Sequence, residues 1–126
     1  MKYLGIDFGL RRVGLAISEG NIASPFKTIE VKGVSDAVEK VSQIIPKEGF
    51  LKIVIGLPEG KMGQTVVGFI KALKKKGLNI VEADETLSSQ RAISQMVKED
   101  VSRKKRRVRD AFAAAIILQD WLDSKG

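Results

Sequence analysis

The stretch Lys52-Ile-Val-Ile-Gly-Leu57 constrains the fold more than any other part of this chain. It is an apolar run of strand length, preceded by Pro46-Lys47-Glu48-Gly49 and followed by Pro58-Glu59-Gly60-Lys61-Met62-Gly63. Such a run reads as a strand buried on both faces, the mark of a parallel strand covered by helices above and below. Its neighbours agree. Ser35 to Ile45 carries Ala37, Val38, Val41, Ile44 and Ile45 at helical spacing, with Ser35 as a cap and Pro46 as the start of the stop signal. A second helix is expected over about Thr65 to Lys75, ending at Gly77, and a further strand over Leu78 to Ala83. Each of these strands follows a crossover helix, so both should run parallel to the first strand of the chain.

The chain opens differently. Lys2 to Gly9 and Arg12 to Ser18 read as strands joined by a tight Gly9-Leu10-Arg11 turn, and Ile22 to Val31 as a third strand interrupted at Pro25. They form an antiparallel meander at one edge of the sheet. After the fifth strand, Ser88 to Lys98 should be a helix capped by Ser88 or Ser89, and Arg109 to Leu122 a terminal helix. The expected order is βββαβαβαα. No internal repeat and no Pro-, Gly- or Ser-rich linker divides the chain, so residues 1–126 form one α/β domain.

Composition narrows the chemistry. With no Cys and no His among 126 residues, thiol nucleophiles, thiolate zinc sites and imidazole bases are excluded, leaving carboxylates, hydroxyls, Lys, Arg or a metal held by oxygen. The first residues, Met1-Lys2-Tyr3-Leu4-Gly5-Ile6-Asp7, lack the apolar stretch of an export signal, and the longest apolar run, Ala111 to Leu118, has 8 residues. A soluble, cytoplasmic protein that does not enter membranes is expected. The net charge of +7 is concentrated: Lys98 to Arg109 carries +5 of it. This block reads as a mobile basic loop at about 99–108 whose partner is a polyanion, the competing reading being a solubilising loop. A smaller cluster, Lys71 with Lys74, Lys75 and Lys76, reads as cations complementing a helix dipole.

Three acids stand where chemistry could use them. Alternation along the first strand puts Tyr3, Gly5, Asp7 and Gly9 on one face, so Asp7 is flanked by residues with no side chain, where a ligand or another backbone comes close, as around an open carboxylate in a cleared patch. Alternatively Asp7 starts a turn and its glycines serve the hairpin. Ala83-Asp84-Glu85-Thr86 places two carboxylates at the carboxyl end of a buried parallel strand, where open α/β sheets hold ligands, although either could cap the next helix. Asp110 lies in the first turn of the apolar terminal helix, on the stripe of Ala113, Ala114, Ile117 and Trp121. A buried carboxylate there needs a cation, a metal or a proton, unless it merely sits favourably at a helix start. Carboxylates from separate elements suit a hard divalent ion such as Mg²⁺ or Mn²⁺, and two such ions would serve phosphodiester cleavage with water as nucleophile.

These residues resemble a known family over nearly the whole chain. Gly5-Ile6-Asp7-Phe8-Gly9, Arg12-Val13-Gly14-Leu15-Ala16, Val54-Ile55-Gly56-Leu57-Pro58, Asp84-Glu85, and Asp110 with Ala113-Ala114 and Ile117-Leu118-Gln119 are similar to the YqgF/RuvX family of the RNase H-like fold. Its members are described as Holliday junction resolvases and as nucleases that process the 5′ end of pre-16S ribosomal RNA. The resemblance implies a five-stranded mixed sheet in order 3-2-1-4-5, a divalent metal, and catalytic and metal-binding roles for Asp7, Glu85 and Asp110. Phosphate contacts are expected from Arg11, Arg12, Arg103, Lys104, Lys105, Arg106, Arg107 and Arg109. Two departures are visible: Thr86 stands where the family usually has Arg, and the Gly-rich loop after the fourth strand matches only through Gly60 and Gly63.

The expected function is therefore a metal-dependent endonuclease on structured nucleic acid, either pre-rRNA or branched DNA. The ribosomal small-subunit precursor would be a partner, and symmetric cutting of two strands would need a homodimer. Two alternatives stay open. One is a non-catalytic nucleic-acid-binding ribosome-assembly factor; the other is an actin-like nucleotide-binding fold, which also starts with Asp-x-Gly but needs two lobes.

Overall fold

The computed structural model describes residues 2–50, 52–58, 60–84 and 103–125, with backbone alone at 46–48, 84, 103–108 and 125. Strands β1 (Lys2–Asp7), β2 (Arg12–Glu19) and β3 (Ile22–Glu30) form the expected antiparallel meander, with Asp7 opposite Gly14 and Arg12 opposite Glu30. Strand β4 (Lys52–Leu57) pairs parallel with β1, and β5 (Ile80–Asp84) pairs parallel with β4. The sheet order is β3-β2-β1-β4-β5, and the fold is the RNase H-like fold. On the β3 edge the register shifts between Leu15 and Ala16, which pair with Lys27 and Pro25 and leave Phe26 as the extra residue of a bulge.

Two faces of the sheet are filled by different helices. Helices α1 (Val34–Glu48) and α2 (Lys61–Lys75) cover one face, where Leu4, Ile6, Phe8, Val13, Leu15, Ile53 and Ile55 meet Val41, Val66 and Phe69. Helix α3 (Arg103–Lys125) covers the other, packing Ala114, Ile117 and Leu118 on Tyr3, Ala16 and Val54. The alternation of β1 thus sorts its residues as the sequence predicts. Each fully buried aliphatic side chain contributes about 1.5–3 kcal/mol, so all three helices are held mainly by their apolar stripes.

Besides small shifts, such as β5 starting at Ile80 and α1 being capped at Gly33 rather than Ser35, three boundaries differ from expectation. Helix α1 runs on through Pro46 to Glu48 and is closed by Gly49, whose φ of 66° is left-handed. A proline in the last turn forfeits one hydrogen bond, whereas an αL glycine ends the ladder outright. Helix α2 starts at Lys61 rather than near Thr65, with Gly63 buried in its first turn against the carbonyl oxygen of Pro58. The third difference concerns the basic block. Its backbone is helical from Arg103 onward, which corrects the loop expected at about 99–108. Lys and Arg are good helix formers, and no Gly or Pro interrupts the chain between Val101 and Lys125. The helix expected over Ser88 to Lys98 lies outside the described residues.

Candidate functional site

The carboxyl ends of β1 and β5 reach the same rim of the sheet. Ile6 pairs with Ile55, and one step on Gly56 pairs with Ala83 and Leu57 with Asp84. Asp7 therefore lies level with Ala83, two strand spacings away, or about 10 Å. Strand β5 delivers the Asp84 backbone one step beyond that level; Glu85 and Thr86 lie outside the described residues.

Asp110 arrives from α3, and glycines decide how closely that helix can approach. The Cα of Gly14, directly across the ladder from Asp7, lies under the backbone of Asp110, so that a Cβ at position 14 would overlap the Asp110 carbonyl. Farther along, a Cβ at Gly5 would stand 2.7 Å from Leu118 Cβ and 2.9 Å from the Ala114 carbonyl oxygen. This decides between the sequence readings: Gly5 is cleared for the backbone of α3 rather than for a ligand, and Gly9 serves the hairpin, packing on the Arg12 carbonyl. At its other end α3 is tied to the β2–β3 turn, because Gln119 accepts the Ala23 N–H and donates to the Asn21 carbonyl, both at 2.9 Å.

The result is a pocket of about 340 Å³ lined by Asp7, Asp110, Arg11, Arg12 and the Phe8-Gly9-Leu10 turn. Arg11 is exposed, and its carbonyl accepts the Val31 N–H at 2.9 Å, which fixes the hairpin. The Asp110 side chain is 15% exposed. Arg12 Nε donates to its Oδ2 at 2.6 Å, while Arg109 Nη2 lies 3.7 Å from its Oδ1. The sequence argument that an acid on the apolar stripe needs a neutralising partner is met by Arg12, a residue read from sequence only as a phosphate contact. Nothing in the spacing of two residues 98 positions apart announces that pair.

Of the predicted site, then, the structure brings together Asp7, Asp110, Arg11, Arg12 and Arg109. The backbone of Arg103, Lys104, Lys105, Arg106 and Arg107 forms the first turns of α3 that lead into Asp110. Among the described residues no group of three or more acids stands close enough to hold a metal. Two carboxylates do line one pocket, and their all-oxygen chemistry fits Mg²⁺ or Mn²⁺. No described helix is long and apolar enough to cross a membrane.

A family model described as RuvX, Holliday junction resolvase, matches residues 1–124. The chain belongs to the RuvX family. RuvX relatives named "Putative pre-16S rRNA nuclease" include one from Clostridioides difficile strain 630, 37% identical over 98% of this chain and 95% of its own length. Another, from Endomicrobium trichonymphae, is 35% identical over 97% of this chain and 95% of its own. The Holliday junction resolvase of fowlpox virus shares the fold at a TM-score of 0.62 with 13% identity, all of each chain being covered. RuvX is thus a family of nucleases, enzymes that hydrolyse phosphodiester bonds.

Proposed function

We propose that this RuvX chain is a divalent-metal-dependent endonuclease that trims the 5′ end of pre-16S rRNA in the cytoplasm, on the small-subunit precursor. The names of its relatives support the substrate. The observation that carries the activity is the meeting of Asp7 and Asp110 in one pocket at the carboxyl rim of the sheet, beside exposed Arg11.

Asp7, Glu85 and Asp110 are the residues that would hold Mg²⁺ or Mn²⁺. When bound, such an ion supplies Lewis-acid stabilisation of charge on the phosphodiester and makes water a better nucleophile near neutral pH. The chain's own residues do the rest. Asp7 and Asp110 present carboxylate oxygens to one pocket from elements fixed by the sheet and by α3. Arg11 and the first turns of α3, with Arg103, Lys104, Lys105, Arg106, Arg107 and Arg109, draw in the phosphate backbone, which reads shape and charge rather than base sequence.

The description of the family model supports a second substrate, a four-way DNA junction, which would be cut by a homodimer. A single experiment weighs the readings: incubate the protein and Asp7→Asn with a pre-rRNA 5′ leader or a junction DNA, each with Mg²⁺, Mn²⁺ or a chelator. Metal-dependent cutting of the leader that falls at least 100-fold in Asp7→Asn is expected. Cutting that survives the substitution or the chelator sinks the metal-nuclease reading. Tight, salt-sensitive binding without cutting under any metal would mark a non-catalytic assembly factor instead.

A further inference from the structure

The ion pair in the lining of the pocket assigns Arg12 a different task from the one its charge suggests. A residue serving only to grip phosphate would present its guanidinium to solvent. Arg12 instead commits its Nε to Asp110 Oδ2 at 2.6 Å, with its side chain 30% exposed and that of Asp110 15% exposed. It reaches Asp110 because position 12 starts β2 on the same face as Gly14, over which the Asp110 backbone rests. A guanidinium carries five N–H donors in a fixed fork. Among the described residues only the Nε–H of Arg12 has an acceptor, and the four N–H groups of its two amino ends make no hydrogen bond to any of them.

We infer that Arg12 is a positioning residue that joins two partners at once: its Nε fixes the Asp110 carboxylate, and its amino groups take a non-bridging oxygen of the phosphate to be cut. Substrate and acid are thereby held in register by one rigid plane, which a flexible ammonium cannot reproduce. The same guanidinium is the cation bonded directly to Asp110, Arg109 Nη2 standing farther off at 3.7 Å and Arg11 lining the pocket beside it. It offsets the mutual repulsion of Asp7 and Asp110, and it opposes any metal ion that seeks Asp110 before substrate arrives. The inference rests on the nuclease reading for its second partner only; its first, the hold on Asp110, stands on the geometry.

Two measurements test it, with Arg12→Lys and Arg12→Gln checked for folding by thermal melting. Calorimetric Mn²⁺ binding to the metal-free protein, with no nucleic acid present, should be at least threefold tighter in Arg12→Gln, because the cation bonded directly to Asp110 has gone. On a pre-rRNA leader, Arg12→Lys should keep KM within about threefold of wild type while kcat falls at least tenfold, since one ammonium bears the charge but cannot serve both partners. Unchanged or weaker Mn²⁺ binding in Arg12→Gln, or a kcat loss in Arg12→Lys smaller than tenfold, overturns the assignment. If wild type binds Mn²⁺ but cuts nothing, the nuclease reading fails and the calorimetry alone decides the hold on Asp110. A wild type that neither binds Mn²⁺ nor cuts sinks both.

Discussion

Gly14 faces Asp7 across the β1–β2 ladder and lies beneath the Asp110 carbonyl, so the space left by its missing side chain sets the separation of the two acids. Gly14→Ala would drive a methyl group into helix backbone rather than into a side chain that can swing away. Overpacking of this kind costs about 1–3 kcal/mol, which lowers Tm by several degrees in a domain of this size. It should also cost activity out of proportion to stability, because the first turns of α3 must lift and take Asp110 with them. A melting curve and a cleavage assay on the same preparation check this, and an active Gly14→Ala protein with unchanged Tm would contradict it. Asp7 and Asp110 were both legible in the sequence as acids in unusual company. That Arg12 neutralises Asp110 was not, because a contact between the start of one strand and the first part of a distant helix leaves no periodic trace. The glycines were read as marking a close approach, and so they do, but a bare position does not say whether a ligand or another stretch of backbone comes near.

Among the elements, α1 shows how a helix start can be secured without a capping side chain at the cap itself. Gly33 supplies no side-chain hydrogen bond, and Asp36 in the first turn instead accepts the Lys32 N–H at 2.8 Å and pairs with Lys40 at 3.2 Å. The Lys32 N–H first, and then Lys40, hold the Asp36 carboxyl below its ordinary value of 3.8. Because the folded value is the lower one, this contribution is complete above the unfolded pKa and is lost as the pH falls through the folded one. An NMR titration of the Asp36 carboxyl should give a midpoint below 3.8, and Lys40→Gln should raise it without restoring it fully, since the backbone bond remains. A midpoint at or above the ordinary value would contradict the contact. At this scale the strands were the most legible elements, because period-two burial and a two-sided apolar run leave little choice. Helix ends were less so. The basic block read as a loop because its charge was weighed and the helix propensity of Lys and Arg was not; in the structure those residues extend α3 by six positions, from the expected Arg109 back to Arg103.

For the molecule as a whole, the charge of +7 acquires a direction. Its densest part is the beginning of α3, and cations there oppose the helix dipole, so the arrangement is unfavourable until an anion sits against it. Nucleic-acid binding should therefore depend steeply on salt. Replacing Arg103, Lys104, Lys105, Arg106 and Arg107 by Gln should flatten the slope of log K against log salt by up to about 0.9 for each duplex phosphate that is no longer neutralised, with the fold intact by circular dichroism. An unaltered slope would place the nucleic acid on another face of the protein. The parallel and antiparallel pairings were readable from the crossover helices and the meander, and the sheet order was implied by the family resemblance; which helices cover which face was not read from the sequence.

The bond between Arg12 and Asp110 spans 98 positions of chain. It is among the last contacts that synthesis from the amino end makes available, and loop closure over such a span is slow compared with the local pairing of the meander. Strands β1 and β2 can pair while the rest of the chain is still being made, but they hold only one of the two pocket acids, Asp7. The pocket is thus completed by docking of α3, and a chain that still lacks α3 holds Asp7 without the Asp110 that shares its pocket.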